Sequence, residues 1–220
     1  MKFSKITLAL AFALAGIGAA QAAQVTLAAG PSVGVIDGLG YHNRALAGVT
    51  LGGIIALDSG INLNTEITRA GGRGWTECER GGCVAAPGPS YGSLSAGASY
   101  SVPIGHGFAL SPEARIGKAG FMGGAQSEFA AFGGGLSYAA SPNVSIAGDL
   151  LHGRTRGVDS ASGRLPGGQY QSGALALIVT QPWGDLSVSY SRQRMYVDSI
   201  AGGDQYLRTD LLTVAYSRTF

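Results

Sequence analysis

The chain has 220 residues, with 15 Lys and Arg against 13 Asp and Glu, 37 glycines and a mean hydropathy of +0.20. Only 13% of it is charged and 45% is hydrophobic, which excludes a disordered chain. Lys2 and Lys5 account for the basic excess, so the remainder is formally neutral and nucleic-acid binding has no electrostatic support.

Those two lysines open a leader. Ile6 to Ala15 is apolar, and Ala20-Gln21-Ala22 is a small-x-small cleavage site. Residues 1–22 therefore read as a secretory signal peptide, cleaved after Ala22, with residues 23–220 exported. No Cys stands at the cleavage site, so a lipoprotein anchor is not expected. Beyond the leader the longest apolar stretch, 45–57, holds three Gly and a Thr and is too short to span a bilayer as a helix.

Period-two alternation then recurs about ten times, which predicts an all-β chain. Val25 to Ile36 sets Val25, Leu27, Val33 and Val35 on one face. Residues 45–57 do the same with Val49, Leu51, Ile55 and Leu57, and Asp58-Ser59-Gly60 turns. Ile61 to Thr68 alternates Ile61, Leu63 and Ile67 against Asn62, Asn64 and Glu66. A polar, Gly-rich loop follows over 69–90. Tyr91 to Val102 alternates most clearly, with Leu94, Ala96, Ala98 and Tyr100 against serines and Gly97. After the turn at Pro103 to His106, Phe108 to Ala119 places Ser111, Glu113 and Arg115 on the second face. Pro112 interrupts this segment and predicts a bulge or kink, because it cannot donate to a ladder. Strands are read again over 129–138, 144–153, 170–180, 186–196 and 206–220, with turns at Ser141-Pro142-Asn143 and Pro182-Trp183-Gly184.

Four short turns alternate with five loops of variable length, the rhythm of a transmembrane β-barrel with both termini on the turn side. The remaining length suits about ten strands, with eight as the alternative. Tyr100, Phe108, Tyr138, Trp183, Tyr216 and Phe220 all fall near the turn side, as an interfacial girdle requires. A soluble sandwich, the competing reading, would scatter them through a core.

In YLRTDLLTVAYSRTF (206–220), Leu212, Val214, Tyr216 and Phe220 share one face. A terminal Phe on such a strand resembles the signal by which bacterial outer-membrane barrels are recognised by the barrel-assembly machinery, with Tyr216 and Phe220 carrying it. Across residues 23–220 the chain is similar to small outer-membrane barrels of the OmpA-like transmembrane type. The ten-strand count, the length and GGGLSY at 133–138 resemble the YfaZ family. The resemblance implies location in the bacterial outer membrane and no known activity.

Cys78 and Cys83, the only two cysteines, lie in CERGGC and are expected to form a disulfide in an exported chain. Two thiolates without nearby His make a poor metal site, and neither metal nor cofactor is expected. Glu66, Glu113, Arg115 and Asp149 share the inward parity. They read as a luminal salt-bridge network, or as the constriction ring of a small pore. Arg192, Arg194 and Arg208 have the outward parity. With the last loop centred near Ala201, Arg192 faces Asp210 and Arg194 faces Arg208. Two opposed arginines call for an anion between them, and lipopolysaccharide phosphate would serve; solvated rim charge is the plainer reading. His42, His106 and His152 lack a Ser and a carboxylate at matching inward positions, so no catalytic residue is assigned and no enzyme is expected. The omptin-type proteases also have ten strands but are considerably longer. The leading expectation is a monomeric envelope barrel in contact with outer-membrane lipid and lipopolysaccharide. The alternative is a narrow pore for passive diffusion of small solutes.

Overall fold

The computed structural model describes residues 24–38, 41–79, 82–121, 126–160, 163–165, 167–198 and 204–220. The leader assigned to residues 1–22 lies outside the described residues. The strands are β1 (Gln24–Gly38), β2 (Tyr41–Ala56), β3 (Ile61–Gly71), β4 (Trp75–Glu79), β5 (Gly82–Ala86), β6 (Ser90–Tyr100) and β7 (Val102–Gly105). They continue as β8 (Phe108–Phe121), β9 (Gln126–Ser141), β10 (Val144–Ser160), β11 (Gly163–Leu165), β12 (Gln169–Gln181), β13 (Gly184–Asp198) and β14 (Asp204–Thr219).

Ten of these form one closed antiparallel ring, in the order β1, β2, β3, β6, β8, β9, β10, β12, β13, β14. Closure pairs the first strand with the last, from Thr26↔Thr219 to Gly38↔Leu207. Short turns follow β2, β7, β9 and β12 at one end, hereafter the turn end; the connections after β1, β3, β8, β10 and β13 meet at the loop end, and those after β3, β10 and β13 are the longer ones. Several strands run past the alternating segments toward the loop end: β3 reaches Gly71 and β10 reaches Ser160. Beyond the apolar band the outer face has no need of apolar side chains, so the alternation fades while the pairing continues.

The apolar residues are mostly on the outside. Leu150 is 76% exposed, Phe132 70% and Ile116 64%, and Leu27, Val33, Val49, Leu51, Leu175, Leu177, Val188, Leu212 and Val214 are exposed around the ring. A continuous apolar belt of this extent has no place in water, and in a bilayer it faces lipid. The fold is a transmembrane β-barrel. At the turn end Phe108 stacks on Tyr138, with centroids 4.4 Å apart, and Trp183 on Tyr216 at 5.6 Å. The Tyr216 hydroxyl donates to the Trp183 carbonyl. Phe220 is exposed, exchanges both backbone hydrogen bonds with Val25 and lies beneath Arg218.

Pro112 causes no bulge. β6 pairs with β8 as far as Ser99↔Glu113, and β7 resumes at Val102↔Leu110 in the same register. The proline leaves two pairs out of the ladder, and the Ser101 N–H donates to Gly60 O instead. On its other side Pro112 stays in register with Gly134. In the β7–β8 ladder the register shifts between Pro103 and Gly105, at the turn. There His106 has φ 52° between two positive-φ glycines.

Candidate functional site

The interior has two unlike halves. Near the loop end, inward positions of the ring carry Ile36, Leu46, Ala70, Tyr91, Ala119, Phe129, Ala131, Leu151, Tyr170, Met195, Leu207 and Leu211, all buried in one apolar cluster. A bar of side chains crosses the lumen through it. Tyr91 on β6 donates its hydroxyl to Gln193 Oε1 on β13, five places round the ring of ten. Gln193 Nε2 donates to the Tyr170 hydroxyl at 2.8 Å, and Tyr170 stacks on Phe129 with centroids 4.2 Å apart and planes 5° from parallel. The Tyr91 and Tyr170 hydroxyls and both Gln193 amide atoms have partners, which offsets the cost of taking them out of water.

Above the bar, β4 and β5 form a hairpin held by the Cys78–Cys83 disulfide. Trp75, at its base, packs against the apolar cluster, and the Arg44 guanidinium lies 4.2 Å over its ring. The hairpin therefore contacts the apolar cluster through its first residue, while Cys78 and Cys83 are exposed.

Toward the turn end the inward positions turn small and polar. Four hydroxyls from four adjacent strands form a chain: Thr213 to Ser32 at 2.8 Å, Ser32 to Thr50 at 2.7 Å, and Thr50 to Thr68 at 3.0 Å. Beside them stand Glu66 on β3, Glu113 and Arg115 on β8, and Asp149 on β10. Arg115 donates from Nε (2.9 Å) and Nη2 (2.7 Å) to Glu113 Oε1, which also accepts from Asn64 Nδ2 at 3.2 Å. Glu66 and Asp149 face the same space but form no ion pair with Arg115 within 4.0 Å. A cavity of about 110 Å³ lies between the bar and these groups, lined by Glu66, Arg115, Asp149, Tyr91, Phe129 and Tyr170 among others. The structure thus gathers the four charges at one level, but three carboxylates share one guanidinium. The buried apolar layer stands on the loop-end side of these charges. That layer was not foreseen. Its signal was present: at Tyr91, Phe129, Tyr170 and Met195 a large side chain stands on the inward parity.

The arginines lie on the outer wall toward the loop end. The register is Arg192↔Asp210 and Arg194↔Arg208. Arg192 Nε bonds Asp210 Oδ1 at 2.6 Å, and the Tyr190 hydroxyl donates to the same oxygen at 2.7 Å. Arg208 lies 3.0 Å from Asp210 Oδ2 and 3.5 Å from Asp37 Oδ2, and donates to Asn43 Oδ1 at 2.9 Å. Protein carboxylates therefore supply the negative charge at Arg208, which corrects the expectation that the opposed pair needs an external anion. Asp37 was missed because it is remote in sequence. Ring closure, which pairs β1 with β14, brings it opposite Arg208. Arg194 Nε is buried without a hydrogen-bond partner. Among the described side chains here, three guanidiniums face two carboxylates.

Among the described residues no group of three His, Cys, Asp or Glu has the geometry of a metal site. His42 lies on β2, His106 in a turn and His152 on the outward face of β10, all exposed.

Solved structures with the same fold are outer-membrane barrels. The beta domain of the Bordetella autotransporter BrkA matches over 90% of this chain and 98% of that one, at 12% identity and a TM-score of 0.51. Neisserial surface protein A matches over 89% and 97% (10% identity, TM-score 0.47), and the outer membrane protease OmpT of Escherichia coli over 90% and 96% (10%, 0.48). At these identities the likeness is one of fold alone. No family model matches the chain, and no curated protein is similar to it in sequence.

Proposed function

We propose that this chain is an integral outer-membrane barrel with a closed lumen, which acts through its loop-end surface and contacts lipopolysaccharide there. The turn end faces the periplasm in this reading, in keeping with short periplasmic turns and longer outer loops. The observation that carries it is the bar Tyr91–Gln193–Tyr170, backed by Phe129, across the loop-end lumen. A passive pore would need a wetted path past this layer, and the buried cluster around the bar argues against one. The cluster of Arg192, Arg194 and Arg208 on the outer wall supports contact with lipid phosphate. In this reading the protein is a monomer without catalytic activity, delivered by the barrel-assembly machinery. Kinship with the YfaZ family, on the ten strands and GGGLSY, belongs to the same proposal.

The test is conductance of refolded protein in a planar bilayer. Wild type is expected to be silent, and a Tyr91→Ala/Gln193→Ala/Tyr170→Ala variant to show discrete steps. Stable steps from the wild type would overturn the closed lumen and favour the diffusion pore. Lipid A and phospholipid composition, compared in cells with and without the protein, should be the same; a changed acyl pattern would sink the non-enzymatic reading.

A further inference from the structure

The outer wall carries a groove of about 690 Å³ over β8, β9, β10 and β12. Its floor is Pro112, Gly134 and Gly148, and its rim includes Leu110, Leu136 and Leu150. Elsewhere along the belt the same outward parity mostly carries larger side chains. The glycines of this wall differ in what holds them. A Cβ on Gly133 would sit 2.0 Å from Leu150 O, so strand packing excludes one. On Gly134 it would meet Ser111 O at 3.2 Å, and on Gly148 it would meet Ala174 O at 3.2 Å; small shifts would admit a side chain at either. Backbone packing accounts for Gly133 and leaves the dent at Gly134 and Gly148 unexplained.

The groove ends on β12, where the Leu150 side chain lies over Gly173, one strand short of Arg192. A single row of paired residues runs Pro112↔Gly134, Gly134↔Leu150, Leu150↔Gly173, Gly173↔Arg192. Four strand spacings make this about 19 Å along the wall. Because strands are tilted, the row runs obliquely, from the loop-end half of β13 toward the turn end of β8. Basic charge thus stands one strand beyond the groove, within reach of the phosphate of a lipid whose chain lies in it.

We propose that this groove holds one acyl chain of a lipopolysaccharide molecule whose phosphate is bound by Arg192 and Arg194. The inference rests on the lipopolysaccharide contact proposed above and adds where the lipid's chain lies. Selectivity over surrounding lipid comes from shape, since bulk tails are equally apolar.

The experiment measures binding of purified lipid A, with and without its phosphates, to the intact barrel in phosphatidylcholine nanodiscs. Folding is checked by the heat-dependent mobility shift of barrels. Gly134→Leu/Gly148→Leu fills the groove and should weaken binding about tenfold with either lipid. Ala47→Leu, on the belt away from the groove, should change nothing. Arg192→Ala/Arg194→Ala should weaken binding only of the phosphorylated lipid. Leu150→Ala/Leu175→Ala, which lowers the rim without filling it, should weaken both lipids a few-fold and stands in if the filled variant does not fold. Loss with the arginine variant and none with the groove or rim variants would overturn the groove while leaving lipopolysaccharide contact standing. Loss with neither set would remove both.

Discussion

The two halves of the lumen share ten strands and one alternating pattern, yet they do opposite things. At the loop end, inward positions carry Tyr91, Phe129, Tyr170 and Met195 and pack into one apolar cluster. At the turn end they carry serines, threonines, glycines and the group Glu66, Glu113, Arg115 and Asp149, and leave a cavity. The ring is the same, so side-chain volume alone decides between seal and vestibule. Charge settles in the half where water can reach it, because burying three carboxylates against one guanidinium in the apolar half would leave charge uncompensated.

The sharpest way to break this contrast is to deny the loop-end half its backbone packing. A Cβ on Gly153 would lie 2.0 Å from Ala130 O. Gly153→Val should therefore prevent β9 and β10 from pairing there, at a cost above about 4 kcal/mol. The expected readout is loss of the heat-dependent mobility shift, with protein remaining in inclusion bodies. Next in size is the seal itself. Tyr170→Ala removes a 1%-exposed aromatic ring and its bond to Gln193, and should cost about 3–5 kcal/mol in urea unfolding from detergent or lipid. A drop below 1 kcal/mol would mean that the bar seals little.

In the turn-end half, Arg115→Ala leaves Glu113, Glu66 and Asp149 without their guanidinium. Side-chain exposure is 22% for Arg115 and 8% for Glu113, so water softens the loss to about 2 kcal/mol at neutral pH. The sign of its pH dependence follows from charge. Protonating the remaining carboxylates removes their mutual repulsion, so the deficit against wild type should shrink as pH falls through the carboxylate range. A deficit that grew on acidification would count against the grouping. The smallest effect belongs outside both halves. Cys78→Ser/Cys83→Ser opens an exposed hairpin and should move barrel unfolding by less than about 1 kcal/mol while speeding proteolysis within 75–86. A large loss of barrel stability would mean that the hairpin braces the mouth through Trp75.

The wall was legible and the contents only partly so. Leu94 to Tyr100 and Leu212 to Tyr216 announce their outward face by strict alternation, and the short turns fix strand neighbours. The last hairpin was legible down to its register, Arg192 opposite Asp210, because a symmetric loop determines it. The seal was harder to see. Tyr91 and Gln193 are 102 residues apart, and nothing local says that their side chains meet across the lumen. Asp37 likewise reads as a loop-end charge until β1 closes on β14.

By itself, then, the sequence determined an all-β chain, about ten strands, which face of each is apolar, and the pairing of its two cysteines. These follow from period-two patterning, turn chemistry and short separations, all local quantities. Only the tertiary structure decided that an apolar bar crosses the lumen near one end, that Arg208 answers to Asp37, and that Gly134 and Gly148 leave a groove. Each of these is set by closure of the ring, which fixes distances between residues far apart in the chain.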